Sequence, residues 1–504
     1  MRENTAKDRW ATLDAKRQGL LSRCEAYAAL TIPSVCPPQG YDSGNDELQP
    51  QLHSFGPQLV SNLVNKMMLA CFAPTRPFMK LRVPPRLLAE IQQAYPKMTE
   101  SKIAEESSIY EKELMAYLDE IQARPKLYDL FTHLIVTGNV CRLMEDKQMR
   151  ILGIKDFVVR RANNGRVLEV IIKEKVFYDD LPNYAKEACR GKKEDDDELE
   201  YFRWFTWDGK YYNERQFIED VEINNSKHKG RYTPEDMPVS IHTWRLPDKA
   251  HYGIGHVEDN IGDFNGLSDL TEAEVNGAIL ASEFRWLANP GGATSPADIQ
   301  ASQNGDVLPG RGEDLELVSA GAVANAISVV SQSADKFVRR LGSAFLLTSS
   351  IQRDAERVTA EEIRVLANEL ETNLGGVYSR LANDIQLPLA YWLMKNSEAG
   401  NGVFEGTTIK PVIVTGLDAL SRNGDLENVR LFLADVTTVT ALPEEVSQYL
   451  KLEPIFQALA AGRGLPSSTY VRTQEEVDEI NNQKLERAQQ IEMEQAQMKQ
   501  QIEG

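Results

Sequence analysis

A helical segment that is unusually rich in small residues places the strongest constraint on how this chain folds. Residues 255–283 have the pattern of a helix, yet Gly262, Gly266 and Gly277 lie in its interior. Each glycine in a helix interior costs about 1 kcal/mol relative to alanine. Because glycine lacks the Cβ atom that holds two backbones apart, close packing against another helix or another subunit offsets that cost. The segment is therefore predicted to be a packing helix.

The residues after this helix predict an irregular excursion and then a second helix. Residues 289–321 are rich in Gly, Pro and Ser, which predicts little helix. Residues 325–348 place apolar side chains such as Phe337 and Leu341 on one helical face. Two antiparallel helices joined by an excursion form a rod with a tip. Copies of such a rod, packed side by side around an axis, close into a ring with a lumen.

The remaining sequence predicts an α+β fold that is mainly α. Helical patterns cover residues 4–29, 57–72, 100–122 and 127–136. Residues 78–83 alternate like a strand, and between about residues 150 and 245 the apolar period changes to two, which predicts hairpins. At the first hairpin, Asn164-Gly165 is typical of a tight turn in which both residues have a positive φ.

The clearest helical pattern begins after residue 358. Thr359 to Glu362 form a capping box, and a stripe of Leu and Ile continues to about Met394. An unbroken helix of this length would be about 50 Å long at 1.5 Å per residue. Gly375-Gly376 and Pro388 are the positions at which it can bend. Residues 412–414 predict a strand, and the polar sequence from 481 predicts a solvated helix or a frayed tail.

Charge and composition restrict the kinds of partner. The net charge is −19, from 75 acidic and 56 basic residues. This charge opposes tight, general binding to a DNA backbone but not the passage of DNA along an acidic wall; the alternative is that acidity serves solubility. No apolar run is long enough to span a membrane, and residues 1–10 lack an apolar secretory core. Five scattered cysteines predict reduced core residues.

No motif nominates a catalytic site. The chain contains no G-x-x-x-x-G-K-[ST] phosphate loop and no G-x-S-x-G nucleophile elbow. Gly253-Ile254-Gly255 opens a helix, but Glu258 stands where the third glycine of a dinucleotide-binding loop is required. The six histidines lack the spacing of a metal site. We therefore predict no catalytic residue, no metal and no cofactor.

Six segments spread along the chain carry a resemblance to a known family. They are Asn62–Leu69 with Phe72, Thr137–Val140, Tyr252–Asp263, Ile351–Arg364, Leu374–Tyr378 and Thr415–Leu420. They occur in the same order over nearly the whole chain, and Ile351–Arg364 is the most specific of them. On these segments the sequence resembles the head-to-tail connector (portal) family of podoviruses.

The resemblance implies a dodecameric ring at one vertex of a capsid, with four parts called wing, stem, clip and crown. The implied divisions are wing 1–254, first stem helix 255–283, clip 284–324, second stem helix 325–348, tunnel loop 349–358, a second wing part with the long helix 359–410, crown 411–480 and a polar tail 481–504. It also implies a virion protein that is made in the host cytoplasm. The implied partners are double-stranded DNA in the channel, the major capsid protein, a scaffolding protein, terminase, a tail adaptor and internal core proteins.

The tunnel loop supplies the first candidate site residues. Arg353 and Arg357 are candidates for transient phosphate contacts, and Gln352, Asp354 and Glu356 lie beside them. Alternating charge avoids a deep electrostatic trap, so that DNA moves in both directions. A second set, Lys336, Arg339 and Arg340, lies on the second stem helix. For every one of these residues the alternative role is a surface or intersubunit ion pair.

Three other functions compete with the connector. A neck or tail adaptor ring is opposed by the length of the chain and by the long capped helix. A DNA-packaging nuclease-ATPase is opposed by the missing phosphate loop. A helical scaffolding protein is opposed by the β-rich region.

Overall fold

The computed structural model describes residues 5–48, 53–73, 77–82, 100–145, 148–181, 183–188, 198–223, 230–282, 284–292, 295–303, 305–307, 310–319, 321–347, 360–397 and 410–413. These residues form helices and antiparallel sheets, which confirms the predicted mixed class.

Helices make up most of the regular structure in these residues. They are α1 (Ala6–Ala15), α2 (Gln18–Ala29), α3 (Phe55–Cys71), α4 (Glu100–Glu120), α5 (Ala123–Thr137), α6 (Asn183–Ala188), α7 (His256–Asp259), α8 (Ile261–Ser282), α9 (Pro296–Ala301), α10 (Gly321–Ala344), α11 (Ala360–Leu374) and α12 (Val377–Asn396). Short 3₁₀ turns occur at Pro33–Val35, Tyr178–Asp180 and Gly312–Asp314.

The strands form four antiparallel sheets. They are β1 (Met79–Arg82), β2 (Asn139–Glu145), β3 (Gln148–Leu152), β4 (Phe157–Arg161), β5 (Val167–Phe177), β6 (Glu198–Trp207), β7 (Tyr212–Ile218), β8 (Val221–Glu222), β9 (Arg231–Tyr232), β10 (Val239–Thr243), β11 (Phe284–Ala288), β12 (Leu315–Ser319) and β13 (Lys410–Ile413). The sheet orders are β1-β13, β10-β2-β3, β11-β12 and β4-β5-β6-β7-β8, with β9 paired to β7.

The largest sheet and α1 form a region that we call the sheet lobe (α1 and β4–β9). Trp10 and Leu13 of α1 pack against Phe202 and Phe217 on one face of the sheet. Beneath the helix, the carboxylate of Glu169 accepts hydrogen bonds from Arg9 and from Arg160, at 2.8 Å in each case. Although burial opposes ionisation, these two guanidinium groups hold the pKa of Glu169 below its ordinary value. A buried charged cluster therefore attaches the N-terminal helix to the sheet.

The main core lies among α2–α5, α8 and α10–α12. Its buried apolar residues include Leu63, Phe131, Phe264, Phe345 and Tyr378, so distant parts of the chain share one interior. Most of the amphipathic faces predicted from sequence point into this core. Cys24, Cys36, Cys71 and Cys141 are buried and free, which agrees with their predicted role as small core residues. Cys189 lies outside the described residues.

Three predicted elements differ in detail. The predicted helix 4–29 is divided into α1 and α2, because Arg17 leaves helical geometry and its guanidinium donates to the carbonyl oxygens of Ile154 and Phe157. The predicted single helix from the capping box is interrupted at Gly375 and Gly376, which have φ values of 54° and 73°. The capping-box side chains lie outside the described residues.

The third difference is the turn between β4 and β5. The amide of Gly165 donates to the oxygen of Ala162, and the amide of Ala162 donates to Arg166. Gly165 has a φ of 81°, whereas Asn164 is not among the residues with a positive φ. The loop is thus a three-residue turn with one left-handed residue, and the predicted two-residue primed turn is wrong. The hairpin that it closes is confirmed.

Candidate functional site

The two predicted packing helices lie side by side and run in opposite directions; we call α8 and α10 the helical pair. The Asp263 carboxylate meets the Arg340 guanidinium at 2.9 Å, and further along, β11 pairs with β12 from Phe284↔Ser319 to Ala288↔Leu315. The rings of Phe264 and Phe345 make an edge contact at 5.6 Å. The first helix starts with α7 and breaks at Asn260 before α8. The sequence prediction of two helices around an excursion is confirmed.

Two glycines of α8 have different surroundings: one packs closely against α10, and the other does not. A Cβ atom on Gly266 would lie 2.9 Å from the ring of Phe337, which is closer than side chains approach. At Gly262, one turn earlier, no atom of a described residue lies within 4 Å of the same position. Packing within one subunit therefore explains Gly266 but not Gly262.

Several apolar side chains of the helical pair are exposed to solvent. Ile279 on α8 is 54% exposed and Val329 on α10 is 64% exposed, and Val275 on α8 and Leu287 on the adjoining strand β11 are exposed as well. Scattered exposed apolar residues are ordinary, but here they follow one slender element. They leave the helical pair with apolar surface that a neighbouring molecule could bury.

The three predicted cations on α10 differ in their ion-pair contacts. Arg340 is tied to the first helix through Asp263, and its guanidinium stacks on the ring of Phe337 at 4.4 Å. Lys336 and Arg339 are exposed and form no ion pair with a described residue. Because positions 336, 339 and 340 share one helical face, this face presents one cation that is paired and two for which the described residues supply no carboxylate.

The tunnel-loop candidates lie outside the described residues. They are Gln352, Arg353, Asp354, Glu356 and Arg357. Their assignment stays a prediction.

Two of the segments that carried the family resemblance meet at the base of the helical pair, in a region we call the joint (residues 137–139 and 252–256). Gly138 has a φ of 73°, and a Cβ atom there would lie 2.4 Å from the backbone nitrogen of Gly255. The Asn139 side chain donates to the oxygen of Gly253 at 2.9 Å and accepts from its amide at 2.7 Å. The joint is therefore a backbone-to-backbone contact that tolerates no larger residue at Gly138 or Gly255.

An aromatic chain continues from the joint into the helical pair. The His256 ring lies 5.3 Å from Trp244 and 4.6 Å from Phe345, and its Nε2 atom is 3.0 Å from the oxygen of Ala344. Burial lowers the pKa of His256, so the ring is neutral at pH 7 and Nε2–H donates to that carbonyl. Sequence reasoning did not assign Asn139 or His256 a role; their place in the matching segments was the available signal.

Neither a metal site nor a membrane span is found among the described residues. They contain no group of three His, Cys, Asp or Glu side chains placed to hold a metal ion. None of their helices combines the length and apolar character needed to cross a membrane.

Residues 3–471 match the family described as "Bacteriophage head to tail connecting protein". The match covers most of the chain, and the chain therefore belongs to this family.

Individual relatives agree with the family match. The portal protein of Enterobacteria phage T3 is 30% identical over 487 residues, covering 94% of this chain and 89% of that protein. The portal protein of Escherichia phage T7 is 30% identical with the same coverage. Among solved structures, the neck of an empty gene transfer agent particle covers 75% of this chain and 86% of that chain, at 11% identity and a TM-score of 0.37. A score this low does not establish a shared fold.

Proposed function

We propose that this chain is a portal protein: twelve copies form a closed ring at one capsid vertex, and double-stranded DNA passes through the lumen during packaging and ejection. The observation that carries the proposal is family membership over residues 3–471, together with curated relatives that are portal proteins. The role is structural rather than enzymatic.

The helical pair supplies a physical reason for a ring. A subunit that packs its exposed apolar residues against a different surface of the next copy makes a heterologous contact, which generates a closed ring when the rotation closes. Val275, Ile279 and Val329 are apolar and exposed in the single chain, and the space beside Gly262 admits a close neighbour. In this proposal α8 and α10 are the stem, and β11 to β12 belong to the clip.

The remaining divisions follow the family expectation. The proposed wing is 1–254 with 359–410, the tunnel loop is 349–358, the crown is 411–480 and the tail is 481–504. Tyr378 of α12 lies in the same core as Leu63 of α3, and its hydroxyl donates to the oxygen of Ala70, which supports a wing that is built from both halves of the chain. The ring would contact the capsid protein, scaffolding protein, terminase, tail adaptor and internal core proteins in a virion assembled in the host cytoplasm.

The charge of the chain suits a channel in which DNA slides. An excess of acidic residues, 75 against 56 basic ones, repels the phosphates of a passing duplex. A few cations then give transient contacts without a deep electrostatic trap. We propose Lys336 and Arg339 on α10 and Arg353 and Arg357 in the tunnel loop for these contacts, whereas Arg340 serves mainly to hold α10 to α8.

Electron microscopy of the purified full-length chain tests the ring directly. We expect negatively stained rings with a central hole and twelvefold symmetry. Monomers at every protein concentration and salt condition would overturn the proposal. A purified chain that hydrolyses ATP would favour a packaging enzyme instead.

An arginine variant tests the channel contact apart from assembly. Arg353→Ala is expected to form normal rings and to reduce the amount of packaged or retained DNA. The matched control is Arg231→Ala, because Arg231 is exposed and pairs only weakly, at 3.5 Å, with Asp208. Normal packaging and infectivity in Arg353→Ala would show that Arg353 makes no functional contact with DNA.

A further inference from the structure

A cleft of about 320 Å³ lies between β10, β2 and α12. Its lining includes several ring side chains, with Tyr391, Trp392 and Pro388 from α12 and Pro234 and Pro238 from the segment before β10. Arg142 of β2 lines the cleft although its side chain is almost fully buried, so it lies at the inner end.

Arg142 is a buried cation without a counter-ion among the described residues. One guanidinium nitrogen donates to the oxygen of Ile385 at 3.0 Å and another to the hydroxyl of Ser240 at 3.3 Å, while Nε has no acceptor. Burial lowers the pKa of Arg142 to about 10. A buried charge that is hydrogen-bonded but not neutralised costs several kcal/mol.

Comparison with the other buried arginines shows that this arrangement is unusual for the chain. Arg203 meets the carboxylates of Glu214 and Glu145 at 2.8 Å each, and Arg17 meets Asp14 at 2.8 Å. The fold thus places an acid beside both of these arginines. At Arg142 it places the inner end of the cleft and no carboxylate of a described residue.

The other charged residues of the cleft do not neutralise Arg142. Lys395 and Asp236 form an ion pair with each other at 2.8 Å, and Glu235 is exposed at the rim. His242 on the same sheet face is buried with its pKa lowered by burial and by Arg142, so the ring is neutral and adds no charge at pH 7. The inner end of the cleft is therefore positive under a rim that carries carboxylates.

We propose that this cleft is a socket for a carboxylate side chain presented by a second copy of this chain. A carboxylate matches the planar fork of a guanidinium group, and the ring-lined walls match the hydrocarbon stem of a glutamate. The chain carries 19 more acidic than basic residues, so a neighbouring copy has carboxylates to offer. A DNA phosphate fits less well, because a duplex cannot enter a cleft of about 320 Å³, whereas a glutamate carboxylate is carried to its inner end on a slender side chain. The inference rests on the proposed ring and names one contact within it.

Photo-crosslinking in assembled full-length protein tests the socket. Benzoylphenylalanine replaces Asn396, a residue that lines the cleft, and mass spectrometry identifies the captured peptide. We expect an intermolecular cross-link to a peptide that contains Asp or Glu. The cross-link should be lost with Arg142→Met and kept with Arg215→Met, a control that removes a partly exposed arginine paired with Glu222. If Arg142→Met does not fold, Arg142→Lys replaces it, with a reduced cross-link yield expected.

The outcomes separate this inference from the proposed function. Rings that show no intermolecular cross-link, or a cross-link that Arg142→Met leaves unchanged, overturn the socket but not the ring. A free anion as occupant would also overturn it: inorganic phosphate would then raise the melting temperature of the wild type but not of Arg142→Met, without any intermolecular cross-link. If the wild type forms no rings, the proposed function fails and the socket fails with it.

Discussion

In the sheet lobe, Glu169 and Glu214 are buried; Glu169 meets the guanidinium groups of Arg9 and Arg160, and Glu214 meets that of Arg203. In the helical pair, Ile279 and Val329 are apolar and exposed. The sheet lobe is complete within one subunit, since even its costly buried charges have partners. The helical pair is complete along one face, where Gly266 receives Phe337, and open along the other. In the proposed ring, the sheet lobe supplies stability to the subunit, and the helical pair supplies surface for assembly.

The largest loss of unfolding free energy is expected when a buried ion pair of the sheet lobe is broken. Arg203→Met leaves Glu214 and Glu145 without their cation, and removing one partner of a buried pair costs about 3–5 kcal/mol. Chemical denaturation of the variant measures the loss. Arg215→Met is the control, because its pair with Glu222 is partly exposed and contributes about 1 kcal/mol or less. Equal losses in the two variants would contradict the idea of a self-contained lobe.

A smaller change in unfolding free energy is expected when a methyl group is added to a glycine of α8. Gly266→Ala forces a Cβ atom against Phe337, and overpacking of this kind costs about 1–3 kcal/mol. Gly262→Ala meets no described atom within 4 Å and is expected to gain up to about 1 kcal/mol from helix propensity. Thermal unfolding of both variants tests this contrast. A stabilising Gly266→Ala would show that the two helices are not in close contact.

Acid should weaken the attachment of α1 to the sheet lobe. The folded-state pKa of Glu169 is held below its ordinary value, so its contribution to stability is present above that value and is lost as the pH falls through the folded-state pKa. Glu169→Gln should remove this part of the pH dependence. Unfolding free energies measured between neutral and acidic pH check the prediction; identical slopes in both proteins would contradict it.

The smallest effect on subunit stability is expected at the exposed surface of the helical pair. Val329→Ser changes an exposed side chain, so the unfolding free energy should move by about 0.5 kcal/mol or less. Ring assembly should nevertheless weaken, because the apolar surface available to the next copy shrinks. Mass photometry across a concentration series measures it. If the variant assembles as well as the wild type, Val329 is not part of the contact between subunits.

Local patterns in the sequence were sufficient for most elements. Helical periodicity predicted α3, α4, α5 and the helical pair, and alternation predicted the hairpin of β4 and β5, because both patterns report which side of a short segment is buried. The break at Gly375-Gly376 was also indicated, since glycine adopts positive φ without a Cβ penalty. The absence of any catalytic motif and the segments shared with connector proteins were equally local signals.

Tertiary structure decided everything that depends on residues far apart in the chain. Three contacts join segments that are more than 100 residues apart in the chain. They are the pairing of β1 with β13, the contact of Gly138 with Gly255, and the hydrogen bond from Arg9 to Glu169. The same holds for the surroundings of Arg142, where the packing of α12 over β2 and β10 brings no carboxylate of a described residue to the guanidinium group. Periodicity records the burial of a side chain but not the identity of its partner, because that partner is selected by the packing of the whole chain.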